Sequence, residues 1–369
     1  MRLSVNNLSM PLFAMMAVTP IVAGPLGFNV TLLASDQPGV AATTDPGLLN
    51  AWGLAASPAS PFWISANGSG TSVLYNGAGA KVALVVTIPG AGTPTGIVFS
   101  GVGGSFNSDS FLFSSEDGTI SGWRGALGTT AETLVAGSAA NVYKGLTLGT
   151  VGGSTYAYAA NFRTGAIDVI KGNAADPGLS GSFVDGSLPA GYAPFNIQNL
   201  GGVLYVTYAV QDSAKRDDVP GAGNGIVDKF DLNGNFLGRV VTGGALDSPW
   251  GLALAPAGFG DVAGDLLVGN FGDGTIHAYD PSTGTLIETL QDAGGNPIMI
   301  DGLWALRFGN GSGSASVTNL YFTAGPNHEA DGLFGDLATV PEPATWALAG
   351  LGAAVVLLRK RLLGSPSKN

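Results

Sequence analysis

The sequence contains no cysteine and only two histidines, His277 and His328, among its 369 residues. Without cysteine the chain forms no disulfide and offers neither a thiolate nucleophile nor a cysteine metal ligand. With two histidines it has few side chains that exchange a proton near neutral pH. Disulfide-stabilised folds and cysteine-based chemistry are therefore excluded, and the fold must depend on burial and hydrogen bonding.

Charge is also scarce. Only 11% of the residues are charged, against roughly 25% in an average soluble domain. The 15 Lys and Arg residues are outnumbered by 26 Asp and Glu residues, which gives a formal net charge of −11. Phosphate backbones repel so acidic a chain, so we expect no nucleic-acid partner.

The body of the chain lacks the sustained 3.6-residue apolar period of an amphipathic helix. It has 59 glycines and many short stretches rich in Val, Thr and aromatic residues. This composition is typical of short strands joined by tight turns. The sequence therefore predicts an all-β fold.

Both ends of the chain differ from the body. Residues 1–24 carry Arg2, an apolar stretch over 8–18 and small residues at 22–24, which is the order of a secretory signal peptide. The C-terminus combines a proline-rich motif, an apolar run and a basic end, in the order Pro341, Glu342, Pro343, then residues 344–358, then Arg359, Lys360 and Arg361.

As a helix, residues 344–358 would span roughly 22 Å, less than the ~30 Å hydrocarbon core of a bilayer. A short transmembrane segment of this kind favours a transient anchor, with the basic cluster on the cytoplasmic side. Residues 340–363 resemble the PEP-CTERM sorting signal, with Pro341, Glu342 and Pro343 as its motif. The resemblance implies an exported protein that is held at the inner membrane, processed by an exosortase and released to the cell envelope or extracellular space. An ordinary single-pass anchor is the alternative.

Between the two ends, one pattern recurs six times. A strand of the type Gly-Leu-Ala-Leu is followed by an aromatic-rich strand, a polar turn and a third strand, most clearly over 249–254, 265–270 and 274–280. Copies begin about every 44 to 54 residues, near the length of a four-stranded propeller blade. The prediction is a six-bladed β-propeller over residues 28–336, with a strand at 28–33 closing the last blade. A β-sandwich or a β-helix is the rival architecture.

The fifth copy resembles the NHL type of propeller repeat, with Gly251-Leu252-Ala253, a strand that ends in Asn270 and the run Gly274-Thr275-Ile276. The body also resembles a family of uncharacterised bacterial exported propellers that often carry the PEP-CTERM tail. The resemblance strengthens the fold and implies no reaction.

Polar residues recur where the second strand of a copy ends, and two copies carry insertions there, over 211–220 and 326–331. Because such turns meet at one mouth of a propeller channel, the binding candidates are Asn67, Glu116, Asn161, Asp217, Asp218, Asn270 and Asp331. Oxygen ligands suit calcium, and the possible calcium ligands are Glu116, Asp217, Asp218, Glu329 and Asp331. Alternatively, the Asn residues cap their own turns and the acids face solvent.

Two classes of function remain. The first is a binding or structural protein of the envelope or matrix, with a polysaccharide or protein partner. The second is a channel-site hydrolase or lyase acting on a small or carbohydrate substrate, with or without calcium. His328 and Glu329 are the one candidate acid–base pair, whereas strand alternation places His277 on the surface.

Overall fold

The computed structural model describes residues 27–340. In chain order the strands are β1 Phe28–Ser35, β2 Thr43–Thr44, β3 Ala51–Ala55, β4 Phe62–Ala66, β5 Thr71–Tyr75, β6 Lys81–Thr87, β7 Pro94–Phe99, β8 Phe111–Ser115, β9 Ile120–Trp123, β10 Glu132–Val135, β11 Tyr143–Val151, β12 Ser154–Asn161, β13 Ala166–Lys171, β14 Tyr192–Leu200, β15 Val203–Val210, β16 Ile226–Phe230, β17 Phe236–Thr242, β18 Pro249–Leu254, β19 Leu266–Asn270, β20 Ile276–Tyr279, β21 Leu286–Thr289, β22 Leu303–Phe308, β23 Leu320–Ala324 and β24 Leu333–Thr339. Short 3₁₀ turns cover Asn67–Ser69, Phe106–Ser108, Gly125–Leu127 and Gly260–Val262.

The strands form six separate sheets, each of which is one blade of a β-propeller. In chain order the blades are β3–β6, β7–β10, β11–β13, β14–β17, β18–β21, and β22–β24 joined by β1 and β2. The innermost strands β3, β7, β11, β14, β18 and β22 each contact the innermost strands of both neighbouring blades, so the ring is closed. The predicted all-β, six-bladed propeller is confirmed, and neither rival architecture is found.

The ring is closed by a strand from the N-terminal side of the body. β1 pairs antiparallel with β24, from Phe28 opposite Thr339 to Ser35 opposite Leu333. Blade 6 thus combines residues from both ends of the body, and the exposed edge of β24 is covered. The short strand β2 then adds to β1 in parallel.

Blade 3 departs from the repeat because it has only three strands. Residues 172–191 form no strand, and the backbone N–H of Phe183 instead donates to the carbonyl of Gly234, in the β16–β17 turn, at 2.9 Å. The Phe183 ring lies 5.4 Å from that of Tyr158 and 5.7 Å from that of Phe230. This segment therefore covers the side of blades 3 and 4 where a fourth strand was expected.

Aromatic side chains fill the propeller axis. The Trp304 ring stacks on Trp52 at 3.7 Å and on Phe271 at 4.0 Å, and it meets Phe195 and Trp250 edge-on at 5.8 and 5.9 Å. Such pairs each contribute about 0.5–1.5 kcal/mol beyond their burial. The rings come from blades 1, 4, 5 and 6, so they tie distant parts of the chain together and form a floor beneath the channel mouth.

Glycine lets the inner strands approach one another around this axis. A Cβ atom on Gly96 would lie 2.5 Å from the backbone nitrogen of Leu146, and one on Gly251 would lie 2.7 Å from the carbonyl oxygen of Trp304. Both neighbours are backbone atoms of the next inner strand. The Gly within the repeated inner-strand pattern is thus explained by close packing.

Candidate functional site at the channel mouth

Every inner strand shifts its register at an equivalent place near the channel mouth. The shifts fall at Trp52, Thr95, Lys144, Phe195, Trp250 and Trp304. A β-bulge at such a place redirects one side chain relative to the regular strand. All six of these residues are buried, and four of them are aromatic. Lys144 is the one charged residue in this ring of six.

Lys144 is an almost fully buried cation that joins three blades. Its side chain is 2% exposed. Its Nζ donates to Glu116 Oε1 in blade 2 at 2.6 Å and to Asp217 Oδ1 in blade 4 at 3.1 Å. It also lies 4.9 Å over the Trp52 ring centroid, which adds a cation–π attraction. A second cation, Arg216, donates through Nη2 to the other Glu116 oxygen at 3.2 Å.

Amide side chains extend this network to blades 1 and 6. Asn67 Nδ2 donates to Glu116 Oε2, and Asn50 Nδ2 donates to Asn67 Oδ1, both at 3.4 Å. The same Asn50 amide also donates to Glu329 Oε2 at 2.7 Å, and Asn50 Oδ1 accepts from Trp304 Nε1 at 3.0 Å. Five of the six blades therefore meet at one polar cluster that lies on the aromatic floor.

The cluster sets the charge state of its members. Burial favours neutral forms, but the charges of Glu116 and Asp217 outweigh it and raise the pKa of Lys144. Burial acts likewise on Glu116, yet the charges of Lys144 and Arg216 hold the pKa of Glu116 below its ordinary value. For Glu329 burial prevails and raises the pKa, against the opposing charge of Lys144 and the bond from Asn50. Lys144 and Arg216 thus pair with Glu116 and Asp217, and Glu329 holds a proton more readily than an exposed glutamate.

The rim around this cluster is built from strained backbone. Asn327, His328 and Glu329 are three successive residues with positive φ angles of 56°, 54° and 65°, and Asn50 has a φ of 44°. Non-glycine residues rarely adopt this region, and it recurs at functional sites. In this conformation the Glu329 side chain contacts Asn50.

The predicted mouth residues divide into two groups. Asn67, Glu116, Asp217 and Glu329 belong to the cluster around Lys144. Asn161 instead donates to Asn141 and Asp168 of its own blade, and Asn270 donates to the Ala245 carbonyl, Asp273 and Thr275. Asp331 accepts from Gln37 at 2.8 Å, in blade 6. Burial raises the pKa of Asp218, and the nearby charge of Lys144 opposes this only in part.

The prediction that His277 is a surface residue is wrong. The ring is 5% exposed, and its Nε2 and Nδ1 atoms bond to the hydroxyls of Thr275 and Thr289 at 2.8 and 2.9 Å. The alternation rule failed because neighbouring blades pack on both faces of β20. His328 is exposed, and Glu329 bonds to Asn50 rather than to His328.

A metal-ligand arrangement is absent from the described part of the chain. Within residues 27–340 no group of three or more His, Asp or Glu side chains is arranged to hold a metal ion. Glu116 and Asp217 do approach each other, but the cation between them is the Lys144 ammonium. Calcium binding at the five acids stays a prediction.

The sequence reasoning missed Lys144, Asn50 and Arg216. Lys144 had a detectable signal, because it occupies the repeat position that holds Trp52, Trp250 and Trp304 in other copies. Asn50 immediately precedes an inner strand and lies just outside the repeated pattern, which begins at Ala51 in this copy.

The predicted signal peptide at 1–24 and the sorting residues lie outside the described residues; the latter are Pro341, Glu342, Pro343, Arg359, Lys360 and Arg361. The transmembrane segment predicted at 344–358 lies there too. Between residues 27 and 340 no helix has the length and apolar character needed to cross a membrane.

Comparisons with known proteins give three findings. Residues 339–361 match the family model described as the PEP-CTERM protein-sorting motif, which confirms the resemblance of the C-terminus. "Uncharacterized protein R648" of Acanthamoeba polyphaga mimivirus is 31% identical over 84% of this chain and 80% of its own length, and "Uncharacterized protein L690" of the same virus is 30% identical over 84% and 85%. A solved structure of regucalcin, a calcium-binding protein from Agrobacterium tumefaciens, is 14% identical with a TM-score of 0.48, covering 87% of this chain and 96% of that one.

Proposed function

We propose that this chain, which belongs to the family of the two mimivirus proteins, is an exported binding protein that takes up a neutral, hydroxyl-rich ligand at its channel mouth. A polysaccharide of the cell envelope or extracellular matrix is the ligand class that fits best. The observation that carries the proposal is the position of Lys144, where a cation replaces the aromatic residue found at most equivalent positions.

The charge balance of the mouth favours a neutral ligand. Lys144 and Arg216 face Glu116 and Asp217, so a ligand with a strong net charge would add an uncompensated charge to a partly buried network. Such a charge is costly unless it is paired. A sugar hydroxyl both donates and accepts hydrogen bonds, so it can bind carboxylates, amides and ammonium groups without upsetting that balance.

The surroundings of the cluster support binding at the mouth rather than deep in a channel. The stacked rings of Trp52, Trp304 and Phe271 occupy the axis below it. The insertion that carries Arg216 and Asp217 rises from the propeller rim, and the Asp217 side chain is 61% exposed. Long loops on a rigid scaffold often carry ligand contacts.

The experiment is a screen of the full-length chain against an array of bacterial polysaccharides and oligosaccharides, followed by calorimetric titration of the best binder. The informative variant is the double substitution Glu116→Gln with Lys144→Met, which removes both buried charges at nearly constant volume. Lys171→Met is the matched control, since Lys171 is exposed on β13.

We expect the double variant to weaken binding at least tenfold and the control to leave it unchanged. Equal binding by the wild type and the double variant would rule out the mouth as the site. The absence of any bound glycan would rule out the ligand class.

One observation favours the alternative function of a hydrolase or lyase. The pKa of Glu329 is raised by burial, as in a general acid, and Glu329 lies in the same cluster as the ionised Glu116. If a bound glycan is cleaved, Glu329→Gln should abolish cleavage and retain binding. Cleavage that survives this substitution would exclude Glu329 as the acid.

For the two ends of the chain we propose the route that the sorting motif implies. Residues 1–24 would direct export, residues 344–358 would hold the chain in the inner membrane, and an exosortase would act at Pro341, Glu342 and Pro343. The match over residues 339–361 supports this route. We also propose that the chain is related to the bacterial, NHL-like family of exported propellers that its repeats resemble.

A further inference from the structure

A second cavity lies at the end of the channel opposite the mouth. It has a volume of about 280 Å³ and is bounded by the last residues of inner strands from blades 1, 4, 5 and 6. Its wall is mixed: Leu54, Leu252, Leu306 and Phe308 supply apolar side chains, and polar groups line the rest. The mouth cluster gathers where the inner strands begin, so the two sites are separate.

One cation, Arg307, lines this cavity without a carboxylate partner among the described residues. Its Nη2 donates to the backbone carbonyl of Ala56 at 3.0 Å, whereas its Nε is buried and has no hydrogen-bond partner in the described residues. No salt bridge among residues 27–340 includes Arg307. Burial lowers the pKa of Arg307, yet a guanidinium stays protonated in proteins.

Arg307 is only partly buried, but a charge that is partly removed from water without an ionic partner still carries a desolvation cost. A guanidinium has five N–H donors in a planar fork that matches a carboxylate. The side chain of Gln198, which also lines the cavity, carries an amide. The cavity therefore combines one charged donor group and two amides, those of Gln198 and Asn199, with apolar side chains of leucine and phenylalanine.

We propose that this cavity binds a small organic carboxylate with an apolar body, whose carboxylate pairs with Arg307 and whose hydrocarbon part packs on the leucines. An engineered cavity of about 150 Å³ holds benzene. The 280 Å³ available here suits a ligand of roughly ten to twelve non-hydrogen atoms, such as a medium-chain fatty acid or an arylalkanoic acid. The site is independent of the function proposed for the mouth.

The test is calorimetric titration of the full-length chain with two probes of matched shape, octanoate and octanol. We expect octanoate to bind at least tenfold more tightly than octanol. Arg307→Met should abolish that preference and keep weak binding of both probes, and Arg307→Lys should retain part of it. The double variant Glu116→Gln with Lys144→Met should bind octanoate as the wild type does, which separates this site from the mouth.

Equal affinity of the wild type for the two probes would overturn the proposal, as would an unchanged octanoate affinity in Arg307→Met. The comparison of probes on the wild type needs no variant, so the test stands even if a substitution impairs folding. The melting temperature gives a second measurement: octanoate should raise it clearly more in the wild type than in Arg307→Met, where only weak binding remains.

Discussion

Replacing Lys144 alone with methionine should destabilise the propeller, because it leaves the buried Glu116 carboxylate without its closest partner. Removing one partner of a buried ion pair typically costs about 3–5 kcal/mol. Arg216 remains 3.2 Å from Glu116, so we expect a loss near the lower end, about 3 kcal/mol. At about 2 °C for each kcal/mol in a large domain, the melting temperature should fall by roughly 6 °C.

The measurement is urea unfolding of the full-length wild type, Lys144→Met, the double variant with Glu116→Gln, and the control Lys171→Met. Since removal of both charges leaves no buried ion unpaired, the double variant should recover most of the lost stability. The gap between Lys144→Met and the wild type should also narrow at acid pH, because burial without the Lys144 charge raises the pKa of Glu116, and protonation then removes the unpaired charge from the variant. A wild-type midpoint for Lys144→Met, or a double variant as unstable as the single one, would refute this reasoning.

Four further predictions follow from the same contacts. Gly251→Ala should lower the free energy of unfolding in urea by about 1–3 kcal/mol, the usual cost of overpacking, because its Cβ would meet the Trp304 carbonyl. The control Gly178→Ala, whose Cβ would lie in open space, should be neutral. Burial lowers the pKa of His277 in the folded chain, so below about pH 6.5 the imidazole binds a proton more readily in the unfolded chain. The free energy of unfolding of the wild type should therefore fall between pH 7 and 5.5, and that of His277→Gln should fall less over the same range. Because the Lys144 ammonium group lies between Glu116 and Asp217, millimolar calcium should leave the melting temperature unchanged. If calcium instead raises the melting temperature of the wild type but not that of Glu116→Gln, calcium displaces the lysine. Glu342→Ala should leave an unprocessed protein in the membrane fraction on immunoblots, whereas unchanged processing and destination would count against exosortase sorting.

The repeat pattern predicted the blades well because each blade needs the same local features. An inner strand needs a residue without a side chain where its backbone approaches that of the next inner strand, and this requirement places Gly96 and Gly251 at matching positions. The second strand then ends in a polar turn, which is where Asn67 and Glu116 lie. The missing fourth strand of blade 3 was not predicted, because residues 172–191 pack through Phe183 against blade 4 instead of pairing with β13, and this tertiary contact has no local sequence signal.

The site was predicted only in part, because polar residues that end strands serve two purposes. Asn161 and Asn270 close their own turns, and nothing in their local sequence distinguishes them from Asn67. What separates them is a long-range contact, the approach of Asn67 to Glu116 and Asn50. Lys144 was not predicted because it lies within a strand, and a charged side chain in a strand usually faces solvent at the edge of a sheet.

The central claim is that the cluster around Lys144 is the ligand site. Its most direct test is a crystal structure of the full-length protein with the oligosaccharide that binds most tightly in the array. The account predicts a sugar ring above the Trp52–Trp304 floor, with hydroxyls within about 3.2 Å of Lys144, Glu116 or Asn67. An oligosaccharide bound elsewhere on the propeller, with the Lys144 cluster untouched, would contradict it.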